Sequence, residues 1–153
     1  MNRKAKGSRN ERKSKALLED WGYKVCKSGG SLGEFDLIGI KKSGIMLVQC
    51  KTNRRPDNDE LQRILDFEAP DNALKRVHVW IDREKNPAGI DEINMRRILD
   101  GESVEIKPVR SVEDNKRRNN NRRKAADKGK QKTKRQPKRI RSVPAKQSSK
   151  AKR

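Results

Sequence analysis

Two apolar runs face each other across a short polar break: Glu34-Phe35-Asp36-Leu37-Ile38-Gly39-Ile40, then Lys41-Lys42-Ser43-Gly44, then Ile45-Met46-Leu47-Val48-Gln49-Cys50-Lys51. Runs of this length and composition, joined by a Gly-containing link, read as two strands of a hairpin. A strand's side-chain period is two, so a hairpin's register decides which side chains meet. A four-residue loop with Ile40 opposite Ile45 sets Asp36 opposite Gln49 and Glu34 opposite Lys51. Gln49 and Lys51 then project on one face, beside Asp36. Two oxygen donors and an ammonium on one face suit a hard divalent cation and the phosphate it polarises.

The flanking sequence places this hairpin in an α/β domain. Ser8-Arg9-Asn10-Glu11 has the spacing of a capping box, so a helix starts at Ser8 or, through the basic residues upstream, a turn earlier. Leu17, Leu18 and Trp21 form its apolar face and Gly22 ends it. Tyr23 to Lys27 follows as a short strand, and Ser28 to Gly33 as a loop. After Arg54-Arg55-Pro56-Asp57, a helix is expected from about Asp59, with Leu61, Ile64, Leu65 and Phe67 as its stripe and Pro70 as its stop. Val77 to Ile81 alternates as a fourth strand. Asp91 to Leu99 is read as helix and Ser103 to Pro108 as a short edge strand. The lone His78 excludes a multi-histidine metal site and is read as a structural or surface residue, and Trp80 as a packing or dimer contact.

Charge divides the chain. The 153 residues carry a net +20. From Lys116 onward there are 18 lysines and arginines against one acid, Asp127, a net +17 that leaves the rest nearly balanced. Such an arm binds polyanions by neutralising phosphates. It is nearly free of large apolar groups and cannot offset its conformational entropy by burial. The expected organisation is therefore a compact domain over 1–114 and a disordered polybasic tail over 115–153. Cys26 and Cys50 form no disulfide framework or zinc site and read as reduced thiols. With neither a signal-peptide core nor an apolar span of membrane length, the chain is expected to be cytoplasmic and without a membrane partner.

Glu11-Arg12, Gly22-Tyr23, Lys27-Ser28, Ser31, Asp36-Leu37 and Gln49-Cys50-Lys51, taken in order, resemble the PD-(D/E)XK nuclease superfamily. Within it they are most similar to the archaeal-type Holliday junction resolvases. The likeness covers about residues 3 to 52 well, and the later elements only by their order. It implies a restriction-endonuclease-like fold, a central mixed β-sheet flanked by helices. It also implies Mg²⁺ (with Mn²⁺ as a substitute) held by Asp36, Gln49, Glu11 and the Cys50 carbonyl. Lys51 would act on the attacking water and the transition state, and Ser31 would sit in a loop meeting the scissile backbone. Arg9, Arg12, Lys27 and Ser28, with Arg54 and Arg55 beyond the strand, are the candidate DNA contacts. Two symmetric cuts in a four-way junction imply a homodimer.

Gln49 departs from the family's usual Glu and removes a negative charge from the metal site, though its carbonyl oxygen still coordinates Mg²⁺. The basic tail is additional to the family domain. Three readings follow: a four-way-junction endonuclease, a nuclease of the same fold for other branched, mismatched or duplex DNA, and an inactive nucleic-acid-binding protein. Gln49 favours the last, whereas Asp36, Lys51 and Glu11 together oppose it.

Overall fold

The computed structural model describes residues 3–28 and 33–133, with residue 124 and residues 126–133 described only in their backbone. The order is α1 (Arg3–Asp20), β1 (Lys24–Lys27), β2 (Leu37–Lys41), β3 (Gly44–Thr52), α2 (Asn58–Asp66), β4 (Ala73–Trp80), β5 (Ala88–Asp91), α3 (Glu92–Leu99) and α4 (Val112–Thr133). The five strands form one mixed sheet in the order β1-β2-β3-β4-β5. Only β3 and β4 run parallel, and α2 is the crossover that a parallel pair requires.

Side-chain alternation splits the core into two layers. Leu37, Met46 and Val48 face α1 and pack with its Leu18 and with Tyr23. Leu47, Val77, Val79 and Ile90 face the other way and pack with Leu61 and Ile64 of α2 and Met95 of α3. Each such side chain, fully buried, contributes about 1.5–3 kcal/mol.

The helix ends follow from their sequences. Gly22 has φ 85°, Tyr23 N donates to Leu18 O and Gly22 N to Glu19 O, a Schellman stop with Tyr23 packed against Leu18. At α2, the Asp57 side chain accepts from Glu60 N at 2.8 Å and Glu60 Oε2 accepts from Asp57 N at 3.2 Å. The capping box is therefore here. Ser8 lies inside α1, which starts at Arg3, the earlier of the two expected starts.

The hairpin has the expected register, Ile40 opposite Ile45 through to Leu37 opposite Val48. Lys41 also pairs with Gly44, which shortens the loop to Lys42-Ser43. Gly44 has φ 149°, and a Cβ there would lie 2.6 Å from Asn72 O. The β3 strand stops at Asn53, in the left-handed region with φ 58°, a conformation Asn tolerates well.

Two expectations at the end of the domain change. Ala88–Asp91 is a strand that the sequence reading missed, and the segment expected as a strand at Ser103 to Pro108 contributes a single bridge, Pro108 to Ala88. The segment expected as the tail begins inside α4, which is helical over Val112–Thr133. Glu113 and Asp114 sit in the first turn of α4, where acidic side chains favour a helix. Every described side chain of α4 is exposed, so none of them buries the helix against the domain. Residues 134–153 lie outside the described residues. The chain divides into two units, with the boundary between Lys116 and Arg117.

Candidate functional site

The β2–β3 ladder ends at Leu37 opposite Val48. One residue earlier, Asp36 N still donates to Val48 O at 2.9 Å, and the Asp36 carboxylate closes the hairpin by accepting from Cys50 N at 2.7 Å through Oδ2. That bond fixes the carboxylate against the backbone between Gln49 and Lys51. Phe35 turns into the core, 4% exposed, and Glu34 pairs with Arg63 of α2 at 3.4 Å. The expected Glu34–Lys51 opposition is therefore absent, because the chain bends where the ladder ends.

Gln49 and Lys51 register with Val77 and Val79 of β4, both in the core layer of α2 and α3, so they share a face as the alternation required. The Gln49 Oε1 atom is buried and has no hydrogen-bond partner among the described residues. Lys51 Nζ lies 2.5 Å from Glu60 Oε1 of α2, and the two side chains are 13% and 17% exposed. Arg54 reaches the same Glu60 oxygen at 3.4 Å. Burial pushes the Glu60 carboxyl up, but its hydrogen bond to Lys51, the Lys51 charge, the Asp57 N–H and Arg54 together hold it below the ordinary value.

The α1 helix brings Glu11 to the same end of the sheet, where its Oε2 accepts from Lys27 Nζ at 3.0 Å. The Asp36 carboxyl is pushed above its ordinary value, chiefly by burial; the Glu11 charge adds to this, while the Cys50 N–H, Lys51 and Lys27 oppose it. The Cys50 side chain points the other way, toward Ser14 of α1. Burial pushes its thiol up to about 12, so it stays protonated, and only its backbone carbonyl is a donor for a hard cation. Among the described residues no group of three or more His, Cys, Asp or Glu side chains is placed to hold a metal ion. The oxygen donors gathered here are carboxylate, amide and main-chain carbonyl.

The candidate DNA contacts separate into three groups. Arg9 and Arg12 are exposed on α1. Lys27 and Ser28 adjoin Asp36: Ser28 N donates to Asp36 O at 2.9 Å, and the buried Ser28 hydroxyl has no partner among the described residues. Arg54 and Arg55 border a groove of about 530 Å³ floored by Val79, Ile81, Ile106 and Pro108. Ser31 lies outside the described residues.

Sequence reasoning missed two features. The first is Glu60; its signal was the Asp57…Glu60 capping-box spacing in the segment that follows Lys51. The second is a buried polar cluster binding α1 to the sheet. Trp80 Nε1 donates to Ser14 Oγ at 2.8 Å, His78 Nδ1 lies 3.1 Å from the same oxygen, and Asn10 Nδ2 donates to Thr52 Oγ1 at 2.8 Å. This cluster sets how α1 presents Glu11.

The sequence profile described as "Archaeal holliday junction resolvase (hjc)" matches residues 2–98. The chain belongs to that family. A curated relative from Methanocaldococcus jannaschii, named crossover junction endodeoxyribonuclease Hjc, is 35% identical over 66 residues. That match covers 40% of this chain and 49% of the relative, so the chain spans about half the relative's length. A solved structure of Archaeoglobus fulgidus Hjc, titled a Holliday junction resolvase from an archaeal hyperthermophile, aligns with TM-score 0.46 and 16% identity, over 54% of this chain and 73% of that one. The resolvase-family match runs from α1 into the last turn of α3 and includes every element that carries the site, and the polybasic segment falls beyond it.

Proposed function

We propose that this protein is a metal-dependent, structure-selective endonuclease that resolves four-way DNA junctions by paired phosphodiester hydrolysis. Membership of the resolvase family and the relative's name support the reaction class. The observation that carries the reading is the Asp36 carboxylate locked onto Cys50 N at 2.7 Å, beside a buried, unpartnered Gln49 oxygen. An acceptor left orphaned in a buried place costs stability unless something binds it. A hard cation is the partner that also satisfies Asp36.

The donor set fits Mg²⁺, or Mn²⁺ in its place: Asp36, Gln49, the Cys50 carbonyl and Glu11 are all oxygen donors. An ion held there supplies Lewis-acid assistance to attack on the phosphodiester. Lys51 orients the attacking water and offsets charge that develops on the phosphate. Arg9, Arg12, Lys27, Ser28, Arg54 and Arg55 hold flanking phosphates without reading sequence, and Ser31 meets the backbone at the cut. Two symmetry-related cuts call for a homodimer. The polybasic segment adds affinity for DNA of any shape.

The test is to offer the protein four-way, branched, mismatched and linear DNA with Mg²⁺ or with chelator. Paired cuts confined to the four-way substrate and abolished by chelator are expected. Equal cutting of all substrates would transfer the reading to a general nuclease. Tight junction binding with no cutting would leave a binding protein whose chemistry was lost with the carboxylate at position 49.

A further inference from the structure

Lys51 does not point freely into solvent. Its ammonium lies 2.5 Å from Glu60 Oε1, with both side chains mostly buried. Glu60 is itself held in place. Its Oε2 accepts from Asp57 N, its own N–H donates to Asp57 Oδ1, and the next residue, Leu61, is 1% exposed in the core. The N-terminal turn of α2 is therefore a fixed mount beside the end of β3, and one carboxylate oxygen of that mount is turned onto Lys51.

We infer that Glu60 is the positioning residue for Lys51: it holds the ammonium in one orientation at the end of the hairpin, and supplies from α2 the negative charge that the strand lacks at Gln49. This rests on the proposed role of Lys51 in cleavage. Lysine has a long, flexible side chain that loses rotamer freedom when fixed, so an unanchored Lys51 would sample many placements. An ammonium has three donors; one is engaged by Glu60, leaving two for a phosphate oxygen and a water. The helix cap alone does not explain the arrangement. Capping needs only an acceptor for Asp57 N, which a glutamine supplies equally well, and it uses the oxygen that does not touch Lys51.

The experiment compares Glu60→Gln, Lys51→Ala, the double variant and Asp91→Ala in the full chain. It measures single-turnover cleavage of a four-way junction in Mg²⁺, junction Kd and thermal midpoint. Glu60→Gln keeps the shape and, with its one carbonyl oxygen on Asp57 N, the cap; it removes the charged acceptor that anchors Lys51 and that the more exposed Arg54 also reaches. Its cleavage rate should fall on the order of 10- to 100-fold, the scale of a slightly misplaced reacting group, with Kd unchanged. The double variant should be no slower than Lys51→Ala alone, because Glu60 acts on the chemical step through Lys51. Asp91→Ala removes the side-chain cap of a different helix, α3, by deleting the acceptor for Asn94 N, and should lower the midpoint while cleaving at the wild-type rate. Glu60→Gln cleaving at or above the wild-type rate while Lys51→Ala is slow would overturn the inference and leave the proposed function standing. Independent losses that multiply in the double variant would overturn it as well. Lys51→Ala cleaving at the wild-type rate would instead overturn the reading of the site beneath it.

Discussion

Lowering the pH from 7 to 5 should destabilise this fold through one side chain, His78. It is fully buried on β4, facing α1, with Nδ1 3.1 Å from Ser14 Oγ and Nε2 without a partner among the described residues. Burial, with the positive charge of Arg76 adding to it, pushes its pKa from 6.5 down to about 3. The sign follows directly. Above pH 6.5 the ring is neutral in both folded and unfolded chains, and stability is full. Between 6.5 and about 3 only the unfolded chain takes up the proton, so stability falls as pH falls, and the loss is complete below the folded value. At pH 5 the linkage amounts to ~2 kcal/mol. That figure is governed by the unfolded value, since the folded ring stays neutral at pH 5. It is a sizeable share of a total that is typically 5–15 kcal/mol. Asp36, whose pKa is raised, works in the opposite sense, because its folded form takes up a proton first. Comparison with His78→Asn cancels that contribution: the variant keeps a polar group near Ser14 and cannot titrate. Urea unfolding of both proteins at pH 7 and pH 5 is the assay. Wild type should lose ~2 kcal/mol more than His78→Asn between the two. Equal losses in the two proteins would refute the assignment of a neutral, buried His78.

Asp36→Asn should abolish cleavage while junction binding survives, because it withdraws charge from a hard-cation site and leaves the basic surface intact; wild-type turnover in a cleavage assay would contradict this. Lys51→Ala should lower the single-turnover rate about 10²-fold or more, the scale of one preorganised electrostatic contact, with little change in junction affinity by titration. Truncation after Lys116 should leave a cooperative thermal transition and cleavage, while binding to all DNA weakens and the slope of log affinity against log salt becomes shallower; loss of the transition would make the polybasic segment structural.

The sheet and the hairpin were legible because they depend on local, periodic information. The Ile40–Ile45 register follows from two apolar runs and a short link, and with it the shared face of Gln49 and Lys51. The loop at Gly22 and the crossover helix at Leu61 and Ile64 are equally local. What was not legible depended on distant partners. Glu11 read as a capping partner of Ser8 and, by resemblance, as a metal ligand; α1 continues to Arg3, so that cap is not formed, and Glu11 reaches Lys27. Glu60 read as an unremarked helix residue, and only the return of α2 beside β3 brings it to Lys51. His78 read as a structural or surface residue, but nothing in its neighbours Val77 and Val79 announces Ser14, 64 residues earlier. The β5 strand was hidden by its composition, since Pro87 and Gly89 flank and interrupt it. Glu34 was carried three residues past the end of a ladder that stops at Leu37.

The most direct test of the whole account is cleavage of a four-way junction against Mg²⁺ concentration, for wild type, Gln49→Ala and Gln49→Glu. Gln49 is the point at which a buried, unpartnered oxygen is read as a metal ligand, and an amide ligates without adding charge. Wild type should cut, Gln49→Ala should not, and Gln49→Glu should cut and saturate at lower Mg²⁺. An introduced carboxylate near Asp36 also favours protonation of the pair when no metal is bound, but at neutral pH and millimolar Mg²⁺ the attraction for the cation should dominate. Cleavage by Gln49→Ala at the wild-type rate would show that Gln49 holds no metal, and cleavage by Gln49→Glu alone would show that the natural chain binds junctions without cutting them.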